Sequence, residues 1–167
     1  MTEFKLNMLY ATVDSLAAEI SRRLDERLEK ESNADVATAN YEQAGALLKN
    51  ALEQGLEGLL EKGRYRGIYL CGLEITEVPV SFTLKGIDRV ATIPSFKLIL
   101  GDEAYQITPT INALIGTITY AVSNRSLSFV CRTLPTGVDL MINPQSGREF
   151  TAARALEFVG MLLNGKN

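Results

Sequence analysis

The chain has no histidine and no tryptophan, only two cysteines, and no proline before Pro79. Each absence excludes something. Without imidazole there can be no Ser-His-Asp or Cys-His nucleophile, no His-ligated zinc and no His proton shuttle. Cys71 and Cys131 are too few for a Cys-only zinc site and lack Cys-x-x-Cys redox spacing. Both stand in apolar runs, as buried reduced thiols do, which points to a reducing, cytoplasmic setting. Long apolar runs are also missing. The most apolar stretch, 113–122, is too short to span a bilayer and carries two threonines. The N-terminal residues include Glu3, Lys5 and Asp14 and do not read as a signal peptide, so no membrane partner is expected.

What is present fits an α+β domain of 167 residues, with an N-terminal antiparallel helical hairpin, an antiparallel sheet of about six or seven strands and a C-terminal helix. Residues 1–63 are expected to form the hairpin. Leu6, Tyr10, Val13, Ala17, Ile20 and Leu24 alternate spacings of four and three, a heptad-like seam. Leu9, Leu16 and Leu28 widen it, and the opposite face is dense in Glu, Asp, Arg and Lys. Ser32-Asn33-Ala34-Asp35 interrupts the pattern and offers caps for a second helix. That helix carries Tyr41, Ala44, Leu48, Ala51, Leu52, Leu56 and Leu59 on its apolar side and stops at Lys62-Gly63.

The apolar period then changes to two over residues 64–145. Phase slips at Cys71-Gly72 and near Glu77 predict a turn or bulge, and Pro79 predicts an edge position. The clearest hairpin joins Phe96, Leu98 and Leu100 through Gly101-Asp102 to Tyr105 and Ile107. Thr108-Pro109 resembles a helix start and predicts a short helix near 109–115, against a competing strand reading from the β-branched residues there. Two further strands follow, over 127–134 and 138–143. Ser146-Gly147-Arg148-Glu149 has capping-box spacing and opens an expected helix over 146–164, with Phe150, Ala153, Leu156, Val159 and Leu163 as its stripe.

No catalytic or metal-binding constellation emerges. Gly55 and Gly58 lie in a helical segment without the strand-loop-helix setting of a phosphate loop. Glu74 and Glu77 fall on opposite faces of a regular strand. The most suggestive local motif is Lys62-Gly63-Arg64-Tyr65-Arg66-Gly67, because guanidinium groups grip carboxylate or phosphate and an aromatic between them can stack on a base. Arg125 and Arg132 are further candidate donors for an anionic ligand.

The net charge of −3 is unevenly spread. Residues 1–62 hold 12 acidic and 7 basic side chains, and the remainder hold 8 and 10. A mildly basic half does not make a duplex-binding surface. The first expectation is therefore a non-enzymatic interaction protein that binds itself as a homo-oligomer, or binds another protein, through the seam Leu6, Tyr10, Val13, Ala17, Ile20 and Leu24. Whether that seam is closed within one chain or between chains stays open. The second is a module that sequesters a small anion or nucleotide through Arg64, Tyr65, Arg66, Arg125 or Arg132. An enzyme based on carboxylates or on Ser and Lys ranks third. No cofactor is expected.

Overall fold

The computed structural model describes residues 12–125, 127–134, 137–143 and 149–165, with side chains undescribed over 132–143. One long helix, α1 (Val13–Leu60), leads into β1 (Arg64–Tyr65) and β2 (Ile68–Tyr69). Six strands follow: β3 (Cys71–Leu84), β4 (Ile87–Leu100), β5 (Glu103–Asn112), β6 (Thr117–Val122), β7 (Ser128–Leu134) and β8 (Gly137–Asn143). A 3₁₀ turn (Ala152–Arg154) and a short helix, α2 (Ala155–Leu163), close the order. The six strands form one antiparallel meander in chain order, and β1 pairs with β2 separately. The fold is thus α+β; the main antiparallel sheet has six strands, and a two-stranded ribbon stands apart from it.

The expected helical hairpin over 1–63 is not formed. The helix runs unbroken for 48 residues through Ser32-Asn33-Ala34-Asp35. Ser32, Asn33 and Asp35 are weak helix formers, but none is Gly or Pro, so continuing the helix costs only a few tenths of a kcal/mol at each of them. Tertiary contacts offset that cost. Ala34 is fully buried, Asp35 accepts from Arg89 on β4 at 2.8 Å, and Thr38 donates back to the Ala34 carbonyl. From there Tyr41, Ala44, Leu48, Leu52 and Leu56 lie against the sheet, chiefly against β4. At the helix start, the Thr12 side chain accepts the Ser15 amide, an N-cap.

The long β3–β4 hairpin explains the slip in apolar phase. Its register is one-to-one from Cys71↔Leu100 to Leu84↔Ile87, so neither expected bulge exists. The inward residues nevertheless change faces, from Cys71, Leu73 and Ile75 to Val80, Phe82 and Leu84 on β3. On β4 they change from Phe96, Leu98 and Leu100 to Ile87, Ala91 and Ile93. The cause lies in the pairing with β5, which involves only Phe96–Leu100 of β4. Beyond it the hairpin leaves the sheet and lays its other face on α1. There the rings of Phe82 and Tyr41 meet edge-on at 5.1 Å, and the Thr92 amide donates to the Glu42 carboxylate at 2.9 Å.

The same separation accommodates the prolines. Pro79 sits on the edge strand β3, as expected. Gln106 and Ser123 exchange bonds toward β6, so alternation turns Pro109 toward the side that β4 has left, where no donor is needed. The expected helix near 109–115 is therefore a strand and turn: residues through Asn112 pair with β6, and the Asn112 side chain accepts the Leu114 amide. The strand reading wins because Thr108, Thr110 and Ile111 suit a pleat and Pro109 is harmless there.

The C-terminal helix is shorter than 146–164. It begins at Ala155, and the expected cap at Ser146 lies outside the described residues. Its buried set is Ala155, Phe158, Val159 and Leu162, while Leu156 and Leu163 are exposed. Phe150 precedes the helix and joins Phe129 and Phe158 in an edge-to-face cluster, with centroids 4.7 to 6.1 Å apart. The two helices therefore cover one face of the sheet around a common apolar core.

Candidate functional site

Two surfaces stand apart from this core. The first is the N-terminal part of α1. Residues 13–33, about 30 Å of helix at 1.5 Å per residue, contain no buried side chain. Val13, Leu16, Ile20, Leu24 and Leu28 are 83%, 54%, 58%, 56% and 62% exposed. At 3.6 residues per turn they fall, with Ala17, within one stripe roughly 120° wide. Of the seam residues, Val13, Ala17, Ile20 and Leu24 are thus all on the arm's surface, and Leu6 and Tyr10 lie outside the described residues. No part of the described chain covers the stripe.

The rest of the arm is tied by ion pairs along the helix. Arg22 contacts both Glu19 and Glu26, Arg23 contacts Glu19 at 3.1 Å, and Arg27 contacts Glu31 at 3.2 Å. Hydrogen bonds from Arg22 and Arg23 lower the Glu19 carboxyl pKa to about 2. Such exposed pairs are screened by solvent and support the helix only weakly. They leave the apolar stripe as the unsatisfied side.

The second surface is the β1–β2 ribbon at the other end of α1. Arg66 and Gly67 both have positive φ, 52° and 83°, and make the two-residue turn that matches hairpin twist. Register pairs Arg64 with Tyr69 and Tyr65 with Ile68. The Arg64 guanidinium stacks 4.1 Å from the Tyr69 ring centre and donates to its hydroxyl at 2.8 Å. Arg66 lies 5.3 Å from the centre of Tyr65. A cavity of about 230 Å³ is lined by Tyr65, Ile68, Tyr69, Leu70, Gly101 and Asp102. Its apolar members are all about half exposed. Sequence reasoning found Arg64, Tyr65 and Arg66 but missed Ile68, Tyr69 and Asp102, which only the turn at Arg66-Gly67 and the β4–β5 turn bring to them.

The other candidate arginines lie elsewhere. Arg125 follows β6, stacks on Tyr105 and donates to the Leu162 carbonyl near the end of α2. Arg132 pairs in register with Thr117, at the opposite end of β6. Arg125 does not border the ribbon cavity. An open hollow of about 510 Å³ near α2 is lined by Glu149, Thr151, Ala153, Arg154 and Glu157, with Arg154 already bridged to Glu157. The two thiols are buried, and burial raises both pKa values, that of Cys131 to about 12. Among the described residues no cluster of acidic or Cys side chains is arranged to hold a metal ion, and no helix is long and apolar enough to cross a membrane.

Comparison with known protein families, curated proteins and solved structures returns no match to this chain.

Proposed function

We propose that this protein works by binding other protein chains, and that its first partner is a second copy of itself, joined through the arm of α1. The observation that carries this reading is the exposed stripe Val13, Leu16, Ile20, Leu24 and Leu28 on a helix that its own sheet does not cover. A bare helix of about 20 residues is marginal in water, and amphipathic helices gain most of their stability from packing. Fully burying one such side chain contributes about 1.5–3 kcal/mol. A symmetric pair of stripes, each already half exposed, supplies several times that amount before the cost of association. The 4-3 spacing and the flanking charges are those of helices that pack side by side.

Sedimentation velocity at tens of micromolar tests the reading. The wild type is expected to sediment as a dimer or larger. The double variant Ile20→Asp, Leu24→Asp is expected to sediment as a monomer with an unchanged urea midpoint for the body, because neither side chain touches the core. A wild-type monomer under these conditions overturns the reading.

A further inference from the structure

A second interaction surface, independent of the arm, follows from the arginines. Among those whose side chains are described, Arg22, Arg23, Arg27, Arg89 and Arg154 each bridge a carboxylate. Arg64 and Arg66 bridge none among the described residues. Each instead lies over a tyrosine ring of the ribbon. Stacking holds each guanidinium flat and, beyond the one Arg64 bond to the Tyr69 hydroxyl, leaves N–H groups to meet an anion, so less side-chain entropy is lost when it arrives. Lys62 adds a third positive charge within five residues.

Tyr69 and Tyr65, the rings that carry Arg64 and Arg66, line a mostly apolar cavity of about 230 Å³, below the usual 300–1,000 Å³ of pockets that enclose whole small molecules. It matches one aliphatic or aromatic side chain better than a nucleotide. Exposed Tyr and Arg beside a side-chain-sized pocket are the usual anchors of protein recognition. Asp102 is the acidic group of the lining and sits on the β4–β5 turn, not on the arginine-bearing ribbon, so charge is one-sided across the cleft.

We infer that the β1–β2 ribbon is a docking site for an acidic peptide segment of a partner protein. One apolar side chain of that segment enters the cavity between Tyr65, Ile68 and Leu70, and flanking carboxylates meet Arg64 and Arg66.

The test uses the full chain and a fluorescein-labelled nine-residue peptide with a central leucine flanked by glutamates, followed by anisotropy at low salt. Saturable binding is expected. Arg64→Glu with Arg66→Asn should weaken it at least tenfold, by loss of two charge-assisted contacts. Asn suits the positive φ at position 66, and both sites are exposed, so the variant should keep the wild-type melting temperature. Replacing the peptide's leucine with alanine should also weaken binding severalfold, and a lysine-flanked peptide should not bind. Four results overturn the inference: no binding of the acidic peptide, equal binding by the variant, equal binding of the alanine peptide, or binding of labelled oligothymidylate in its place. A change of sedimentation in the ribbon variant also overturns it, by making the occupant a second copy of the chain. Because the ribbon variant keeps the arm intact, its failure and that of the self-association reading are separable.

Discussion

The hydroxyl of Tyr120 on β6 donates to the carbonyl oxygen of Pro94 on β4, at 2.8 Å and out of contact with solvent. The two strands are not neighbours; β5 separates them. Pro94 lies just beyond the last β4 residue paired to β5, and its carbonyl points to the side where a ladder partner is missing. Tyr120 replaces that partner. Burial pushes the Tyr120 pKa far upward, so the group is a permanent donor. Tyr120→Phe removes the donor and leaves a buried carbonyl unpaired, at a cost of about 1–3 kcal/mol. Urea unfolding should show that loss with an unchanged m-value. A loss below a few tenths of a kcal/mol would mean that water reaches Pro94.

The helix approaches the same junction through a glycine. A Cβ on Gly45 would lie 2.7 Å from Ile93 Cγ2 and 2.8 Å from Pro94 Cδ, and one on Gly55 would lie 2.3 Å from Ala155 Cβ and 2.4 Å from the Ala152 carbonyl oxygen. A Cβ on Gly58 would meet nothing within 4 Å. In an open helix, Gly→Ala stabilises by about 0.5–1 kcal/mol. Gly58→Ala should therefore raise the melting temperature. Gly55→Ala should lower it, since overpacking costs about 1–3 kcal/mol and backbone is among what must move. Thermal melts of the two variants, run side by side, check the opposite signs.

These glycines also mark what could be read from the sequence. Periodicity located the helical, β-rich and C-terminal regions, and the hairpin around Gly101-Asp102 pairs Leu98 with Tyr105 and Phe96 with Ile107 as expected. Local composition misled where a tertiary contact outweighed it. Ser32-Asn33-Ala34-Asp35 resembles a break because the Arg89 bridge to Asp35 comes from a strand more than fifty residues away. Thr108-Pro109 resembles a helix start because the departure of β4 from β5 is invisible locally. The phase slip at Glu77 was legible, but its cause, a hairpin that offers opposite faces to two neighbours, was not. Arg64, Tyr65 and Arg66 stood out by type, whereas the cavity beside them depends on the fold bringing Gly101 and Asp102 close.

The pH dependence of stability should be one-sided. Burial raises the folded pKa values of Cys71, Cys131, Tyr41 and Tyr120, and Cys131 reaches about 12 from an ordinary value of 9.0. For a group whose folded pKa is raised, stability is intact below its unfolded pKa and is lost as pH climbs toward the folded one. The urea midpoint should therefore begin to fall above about pH 9. Cys131→Ala should flatten part of that slope. On the acid side the lowered pKa of Glu19 works in the reverse sense: its contribution is present above the ordinary value of 4.5 and is lost as pH falls toward about 2. Glu19 is part-exposed on the arm, away from the core, so acid should reduce helical circular dichroism without shifting the unfolding of the body. With no histidine to titrate, the midpoint should be level between about pH 6 and 8. A step within that range would count against this account.

The arm's stripe ends at a pair of charges within α1. Continuing the spacing past Leu24 reaches Arg27 and Glu31, which lie in the same angular range as the apolar residues and bridge each other at 3.2 Å. These charges interrupt the stripe just before Ala34 begins the packed part of α1. If the stripe is a self-association seam, Arg27→Leu with Glu31→Leu lengthens it by about one turn. The change removes one exposed ion pair worth a few tenths of a kcal/mol and adds two apolar side chains to each copy. Dimer dissociation measured by dilution in sedimentation equilibrium should become at least tenfold weaker. Arg22→Leu is the control, because Arg22 lies on the opposite side of the helix and Leu matches Arg in helix propensity. It should leave association unchanged while adding similar apolar surface. Equal tightening by both variants would show that added hydrophobicity, not the stripe, drives the contact.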